Sequence, residues 1–130
     1  MIVIDASVAL AWYFKDEADD FSRSSAARVL AETAIVPPVF ASEVANSLHF
    51  ATNRGRITDR DVREAVDRLS KLPIRIDANR LALHDELQLA RTHDLTVYDA
   101  SYLALARRLR LPLLTRDADL KRAVIAEKLA

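Results

Sequence analysis

Four acids stand where the chain changes character. Asp5, Asp99 and Asp117 each follow a short apolar run and precede a helix-compatible pattern. Glu43 lies about a turn and a half into a helix that opens at Pro38, too deep to cap it. Asp is a favoured helix N-cap, so each of the three aspartates taken alone also reads as a cap. Asp77 reads as a cap and nothing more. Glu43 differs, because Asn46 and Ser47 lie three and four residues on and share its helical face. A Glu, Asn and Ser face between apolar neighbours marks an inward-facing polar site.

If the strands ending at Asp5, Asp99 and Asp117 are neighbours, the three acids converge at one rim and Glu43 reaches over from its helix. Two carboxylates about 5 Å apart repel by roughly 3 kcal/mol at an effective dielectric near 20. Four cannot all stay ionised without a cation or raised pKa values. Hard oxygen donors with no His or Cys partner favour Mg²⁺, with Mn²⁺ as a substitute. Such a site supports attack of metal-activated water on a phosphodiester. Asp119, two residues past Asp117, competes as the fourth ligand. Asp117 is preferred because it directly follows the strand end.

The elements that must position these acids follow from patterning. Ile2-Val3-Ile4 is β-prone and apolar on both sides, the signature of a central strand in a parallel sheet covered on both faces. Further strands are expected at Ile35-Val36, Pro73 to Ile76, Leu95 to Val97 and Leu111 to Thr115. Helices are expected over Ala6–Phe14, Phe21–Ala34, Val39–Asn53, Ala78–Thr92 behind Asp77, Ala100–Leu109, and from Asp117 to about Lys128. Gly55 is the expected left-handed cap of the Pro38 helix. Thr58 with Asp61 forms an acidic capping box ahead of a stripe of Val62, Ala65, Val66 and Leu69. Ala27, Leu30 and Ala34, and then Leu83, Leu87 and Ala90, mark two more stripes. Alternating strands and helices predict an α/β fold: a three-layer α/β/α sandwich with a central parallel sheet of four to five strands, one domain over residues 1–130.

Composition removes several function classes. There are no cysteines, hence no disulfides or thiolate metal sites. The single glycine, Gly55, rules out a P-loop and a GxGxxG dinucleotide turn, which need several. Nineteen basic and nineteen acidic residues leave no net charge for coating nucleic acid, although fifteen of the cations are Arg, suited to phosphate. No apolar run approaches the roughly 20 residues of a membrane span and no signal pattern opens the chain, so the expected location is cytoplasmic. His49, His84 and His93 have no metal-ligand spacing. Trp12, Tyr13 and Phe14 read as core or interface residues. Arg116, between Thr115 and Asp117, is a candidate phosphate contact; Tyr98 and Tyr102 read as packing residues near the site, with Tyr98 also a candidate substrate contact. Arg54 and Arg56, and the group Arg107, Arg108, Arg110, Lys121 and Arg122, read first as solvated helix faces, with a nucleic-acid backbone as the other use of such clusters.

Val3-Ile4-Asp5-Ala6-Ser7, Glu43-Val44-Ala45-Asn46, Tyr98-Asp99-Ala100-Ser101-Tyr102-Leu103-Ala104-Leu105-Ala106 and Leu114-Thr115-Arg116-Asp117 resemble the motifs of the PIN-domain family. Within it they are most similar to the VapC-type toxins of toxin–antitoxin pairs, in order along the whole chain. The resemblance implies a Mg²⁺-dependent endoribonuclease with Asp5, Glu43, Asp99 and Asp117 as catalytic, metal-holding acids. It implies supporting roles for Ser7 and Thr115, as hydroxyls fixing carboxylates or metal waters, and for Asn46 as an orienting neighbour. A homodimer and a small cognate antitoxin are implied in the same way. Two other readings stand beside it: a receiver-like signalling module, and a non-catalytic interaction module whose acids are caps.

Overall fold

The computed structural model describes residues 1–79 and 82–130. In chain order the elements are β1 (Ile2–Ile4), α1 (Ala6–Ala11), α2 (Asp20–Glu32), β2 (Ala34–Val36), α3 (Val39–Asn53), α4 (Asp59–Ser70), β3 (Ile74–Ile76), α5 (Leu83–His93), α6 (Val97–Leu109), β4 (Leu113–Leu114) and α7 (Ala118–Ala126). A 3₁₀ turn, Lys15–Glu17, joins α1 to α2. The four strands form one parallel sheet in the order β3-β2-β1-β4. With helices on its faces, this is the three-layer α/β/α sandwich.

β1 is central because it can be buried on both sides: Ile2, Val3 and Ile4 are wholly shielded from solvent. Burial of three such side chains stabilises by about 1.5–3 kcal/mol each. Ile4 pairs with Leu114, and the Asp5 N–H donates to the Leu114 carbonyl at 3.3 Å. The chain winds outward from β1 through β2 to β3, then returns to place β4 on the other side of β1. The β1/β4 boundary is therefore the topological switch point, where open α/β sheets bind ligands beyond the strand ends.

Local signals hold in several places. Gly55 has φ +72, and the N–H groups of Gly55 and Arg56 donate to Thr52 and Ala51, closing α3 in a Schellman-type cap. Thr58 and Asp61 exchange both bonds of a capping box at the start of α4. Asp19 and Ser22 do the same for α2.

Other expectations are corrected. Leu95 to Val97 is not a strand: Asp94 adopts a left-handed conformation, Thr96 caps α6 through the Asp99 N–H at 3.1 Å, and Val97 is already helical. The chain thus turns from α5 directly into α6, and the sheet has four strands. Asp77 does not cap the next helix, which begins at Leu83 rather than Ala78. Its N–H donates to the Val36 carbonyl, extending the ladder, and its carboxylate pairs with Arg108 at 2.5 Å. Residues 80 and 81 of that expected helix lie outside the described residues. α1 stops at Ala11 instead of Phe14, and Ala34 belongs to β2, because Thr33 takes φ 65 and ends α2. Three apolar stripes are partly misassigned. Leu30, Val66, Leu83 and Leu87 are exposed, while Val29, Ala65 and Leu89 supply the buried contacts.

Candidate functional site

Asp5 leaves the C-terminal end of β1 and enters α1, and it is buried with 4% of its surface exposed. One carboxylate oxygen accepts the Ser7 hydroxyl at 2.5 Å and the Val8 N–H at 3.2 Å. The other accepts the hydroxyl of Thr115, 110 residues away and also buried. Each hydroxyl passes the connection on, since Ser7 Oγ accepts the Arg116 N–H at 2.9 Å and Thr115 Oγ1 accepts the Asp117 N–H at 3.0 Å. Two parallel relays therefore lace the β1–α1 junction to the β4–α7 junction. Burial pushes the Asp5 carboxyl above its ordinary range, opposed by the Ser7, Thr115 and Val8 hydrogen bonds.

Asp117 caps α7 through the Leu120 N–H at 2.8 Å. Capping and site placement are thus compatible: one oxygen serves the helix while the residue stands at the sheet rim. Asp119 does not share this position. It lies on the exposed side of α7, paired with Arg122 at 2.5 Å.

Glu43 sits in the second turn of α3, partly buried, and its Oε1 accepts the Tyr102 hydroxyl at 2.5 Å. Tyr102 is fully buried in α6, one turn beyond Asp99, so the same helix presents Asp99 and fixes Glu43. Burial, then the Glu43 hydrogen bond, pushes the Tyr102 hydroxyl well above its usual pKa, keeping it a proton donor. From sequence alone Tyr102 reads as a packing residue near the site. Its three-residue spacing from Asp99 was the available signal.

Asp99 reports the convergence most clearly. Its pKa is raised to about 6, first by burial and then by the charges of Asp117, Asp5 and Glu43. Acids from β1, α3, α6 and the β4–α7 junction therefore act on one another across up to 112 residues of sequence. Among the described residues, no three His, Cys, Asp or Glu side chains form a ready-made metal-ligand cluster. Tyr102 engages one oxygen of Glu43 and the α7 cap one oxygen of Asp117, which leaves the second oxygen of each outside those bonds. In donor type and charge the four carboxylates fit a hard divalent cation, all oxygen and all acidic.

Asn46 is exposed on α3 and lines a groove with Ser7 and Ser47. Arg116 sets its guanidinium on both oxygens of Asp19, at 2.9 and 3.0 Å. Tyr98 is 62% exposed beside Pro38 and Leu83. Arg108 is held by Asp77, and Arg56 by Asp16 and Glu17. His93 pairs with Glu127 at 3.0 Å and His49 with Asn53, away from the acids. Trp12 donates to Ser25 and ties α1 to α2. No helix among the described residues is long and apolar enough to cross a membrane.

Comparison with known proteins bears on the same region. The family model described as PIN domain matches residues 2–125. The chain is 30% identical over 121 residues to ribonuclease VapC3 of Pyrobaculum aerophilum, covering 92% of this chain and 91% of that one. It is 34% identical over 120 residues to ribonuclease VapC12 of Mycobacterium tuberculosis, covering 92% and 89%. The crystal structure of PAE2754 from Pyrobaculum aerophilum superposes with a TM-score of 0.69 over 99% of this chain and 97% of that one, at 19% identity, a likeness of fold.

Proposed function

We propose that this chain, which belongs to the PIN-domain family, is a Mg²⁺-dependent endoribonuclease and the toxin of a VapBC-type pair. The observation that carries the reading is geometric: the fold brings Asp5, Glu43 and Asp117, from three other parts of the chain, near Asp99, whose carboxyl is raised first by burial and then by their charges. A site that concentrates negative charge without a basic partner is stabilised by a divalent cation. Asp5, Glu43, Asp99 and Asp117 are the residues that would hold it. Bound there, Mg²⁺ or Mn²⁺ supplies a water of lowered pKa and neutralises charge on the phosphate.

The chain's own groups do the positioning. Ser7 and Thr115 donate to opposite oxygens of Asp5, which favours its ionised form against the cost of burial and fixes its plane. Tyr102 fixes one oxygen of Glu43. The cap on Leu120 fixes one oxygen of Asp117. Asn46 and Tyr98, exposed at the rim, are placed to orient the RNA, and Arg116 contacts a phosphate by exchanging it for Asp19.

The relatives named VapC ribonucleases support a small antitoxin as partner and RNA as substrate. A homodimer, as the family resemblance implies, and a cytoplasmic location are further parts of the proposal. The PIN-domain match over residues 2–125 favours the nuclease over the receiver-like reading. The caps made by Asp5 and Asp117 favour one rival, a non-catalytic module that kept the fold. Incubation of the purified protein with unstructured RNA decides between them. Mg²⁺-dependent internal cleavage that EDTA stops, and that Asp5→Asn and Asp99→Asn reduce to background in folded protein, is expected. Folded wild type that leaves RNA intact at millimolar Mg²⁺ or Mn²⁺ contradicts the nuclease reading.

A further inference from the structure

The polar face of α3 does not end at the acidic rim. Glu43, Asn46, Ser47, Phe50 and Arg54 recur at three- and four-residue spacing, one stripe along the helix. Beyond Glu43 this stripe forms one wall of an open groove of about 370 Å³, whose other wall is Ser7, Leu10 and Phe14 on and after α1. Ser7, which holds Asp5, belongs to the groove's lining, as do two arginines. Arg56 lies 4.0 Å over the Phe14 ring and is neutralised by Asp16 and Glu17. Arg54 forms no ion pair with any described residue, and its guanidinium lies 5.7 Å from the centre of the Phe50 ring.

Phe50 itself is 47% exposed. A lone exposed phenylalanine is ordinary. One that sits beside an arginine with no ion pair among the described residues, in a groove that shares Ser7 with the acidic rim, has the make-up of a single-strand nucleic-acid contact, in which bases stack on aromatic faces and cations follow the backbone.

We propose that the α1–α3 groove is an RNA subsite, in which an unpaired base of the substrate strand stacks on Phe50 while Arg54 holds an adjacent phosphate. The assignment rests on the nuclease reading above and specifies where the strand leaves the acids. At 1.5 Å per residue, Phe50 lies about 10 Å along α3 from Glu43 and Arg54 about 16 Å. A strand with roughly 3.4 Å between stacked nucleotides crosses the first distance in about three nucleotides, and in fewer when extended. The subsite therefore reads a nucleotide near the scissile bond but outside it, and it favours unpaired RNA because a base within a duplex cannot reach the ring.

The test uses the full chain, with a 12-nucleotide unstructured RNA as the probe. Cleavage by Phe50→Ala and Arg54→Ala is compared with wild type. Binding of the same RNA is measured separately by fluorescence anisotropy in an Asp99→Asn background. Phe50→Ala is expected to raise KM and weaken binding roughly tenfold with kcat little changed, and Phe50→Trp to restore both. Arg54→Ala is expected to weaken binding and flatten its salt dependence. An unchanged KM and affinity in Phe50→Ala overturns the subsite while leaving the nuclease reading intact. So does a loss that sedimentation traces to a changed oligomeric state, which would make this face a protein interface. Wild type that neither cuts nor binds RNA overturns both.

Discussion

Burial and the charges of Asp117, Asp5 and Glu43 act together on Asp99. In the folded chain it holds its proton up to about pH 6, against 3.8 for a carboxyl without such neighbours. Between those values the folded state binds more protons than the unfolded one. The stability contributed by this group is therefore complete below about pH 3.8 and is lost as pH rises through about 6. Asp5 shifts in the same direction. Metal-free Asp99→Asn should then melt above wild type at pH 7, with the gap closing towards about pH 4. Thermal unfolding across that range is the check, and an equal or lower midpoint at pH 7 contradicts the reading. Tyr102→Phe removes only the hydroxyl bound to Glu43 and keeps the buried ring. It should cost about 1 kcal/mol of stability. It should also lower kcat for RNA cleavage roughly tenfold while leaving KM near wild type, measured by steady-state cleavage with a melt as control. The four acids were legible in sequence because each stands at an element boundary or on a polar helix face. Tyr102 was not, because a tyrosine in an alanine-rich helix reads as core until the opposing Glu43 is known.

At the scale of elements, the sharpest local dependence is Gly55. Its φ of +72 is one that side chains with a Cβ rarely adopt, yet a Cβ built there meets nothing within 4 Å. Gly55→Ala should therefore cost about 1 kcal/mol through backbone conformation alone. Denaturant unfolding tests this: a shifted midpoint with an unchanged slope is expected, and no shift contradicts it. This cap was readable because a lone glycine after an apolar helical pattern has few other uses. Leu95 to Val97 was misread for the opposite reason. A three-residue apolar and β-branched run fits a strand or a helix start equally, and only the left-handed turn at Asp94 and the Thr96 cap decide it. The error left the site in place, because α6 delivers Asp99 to the rim from its first turn just as a strand end would. Asp77 was misassigned because its carboxylate has a distant partner, Arg108, which no local pattern encodes.

For the whole molecule, sheet order turns a line of scattered acids into a site. The sandwich followed from alternating apolar runs, but the order β3-β2-β1-β4 did not, since three short strands of similar composition carry no register signal of their own. That order puts β1 beside β4, sets Asp5 against Thr115 and Asp117, and leaves α3 after β2 to bring Glu43 from the neighbouring side. The chain is neutral overall, yet its acids crowd one rim while Arg56 and Arg116 are engaged by the segment from Asp16 to Asp19. A neutral protein with a carboxylate-crowded rim takes up a divalent cation there or carries the repulsion unrelieved. Calorimetric titration of the metal-free protein with Mn²⁺ measures this directly. Saturable binding in wild type, strongly weakened in both Asp99→Asn and Asp5→Asn although these acids lie on different elements, is the predicted result. Absence of binding at millimolar concentrations, or equal binding by all three proteins, would contradict a shared metal site.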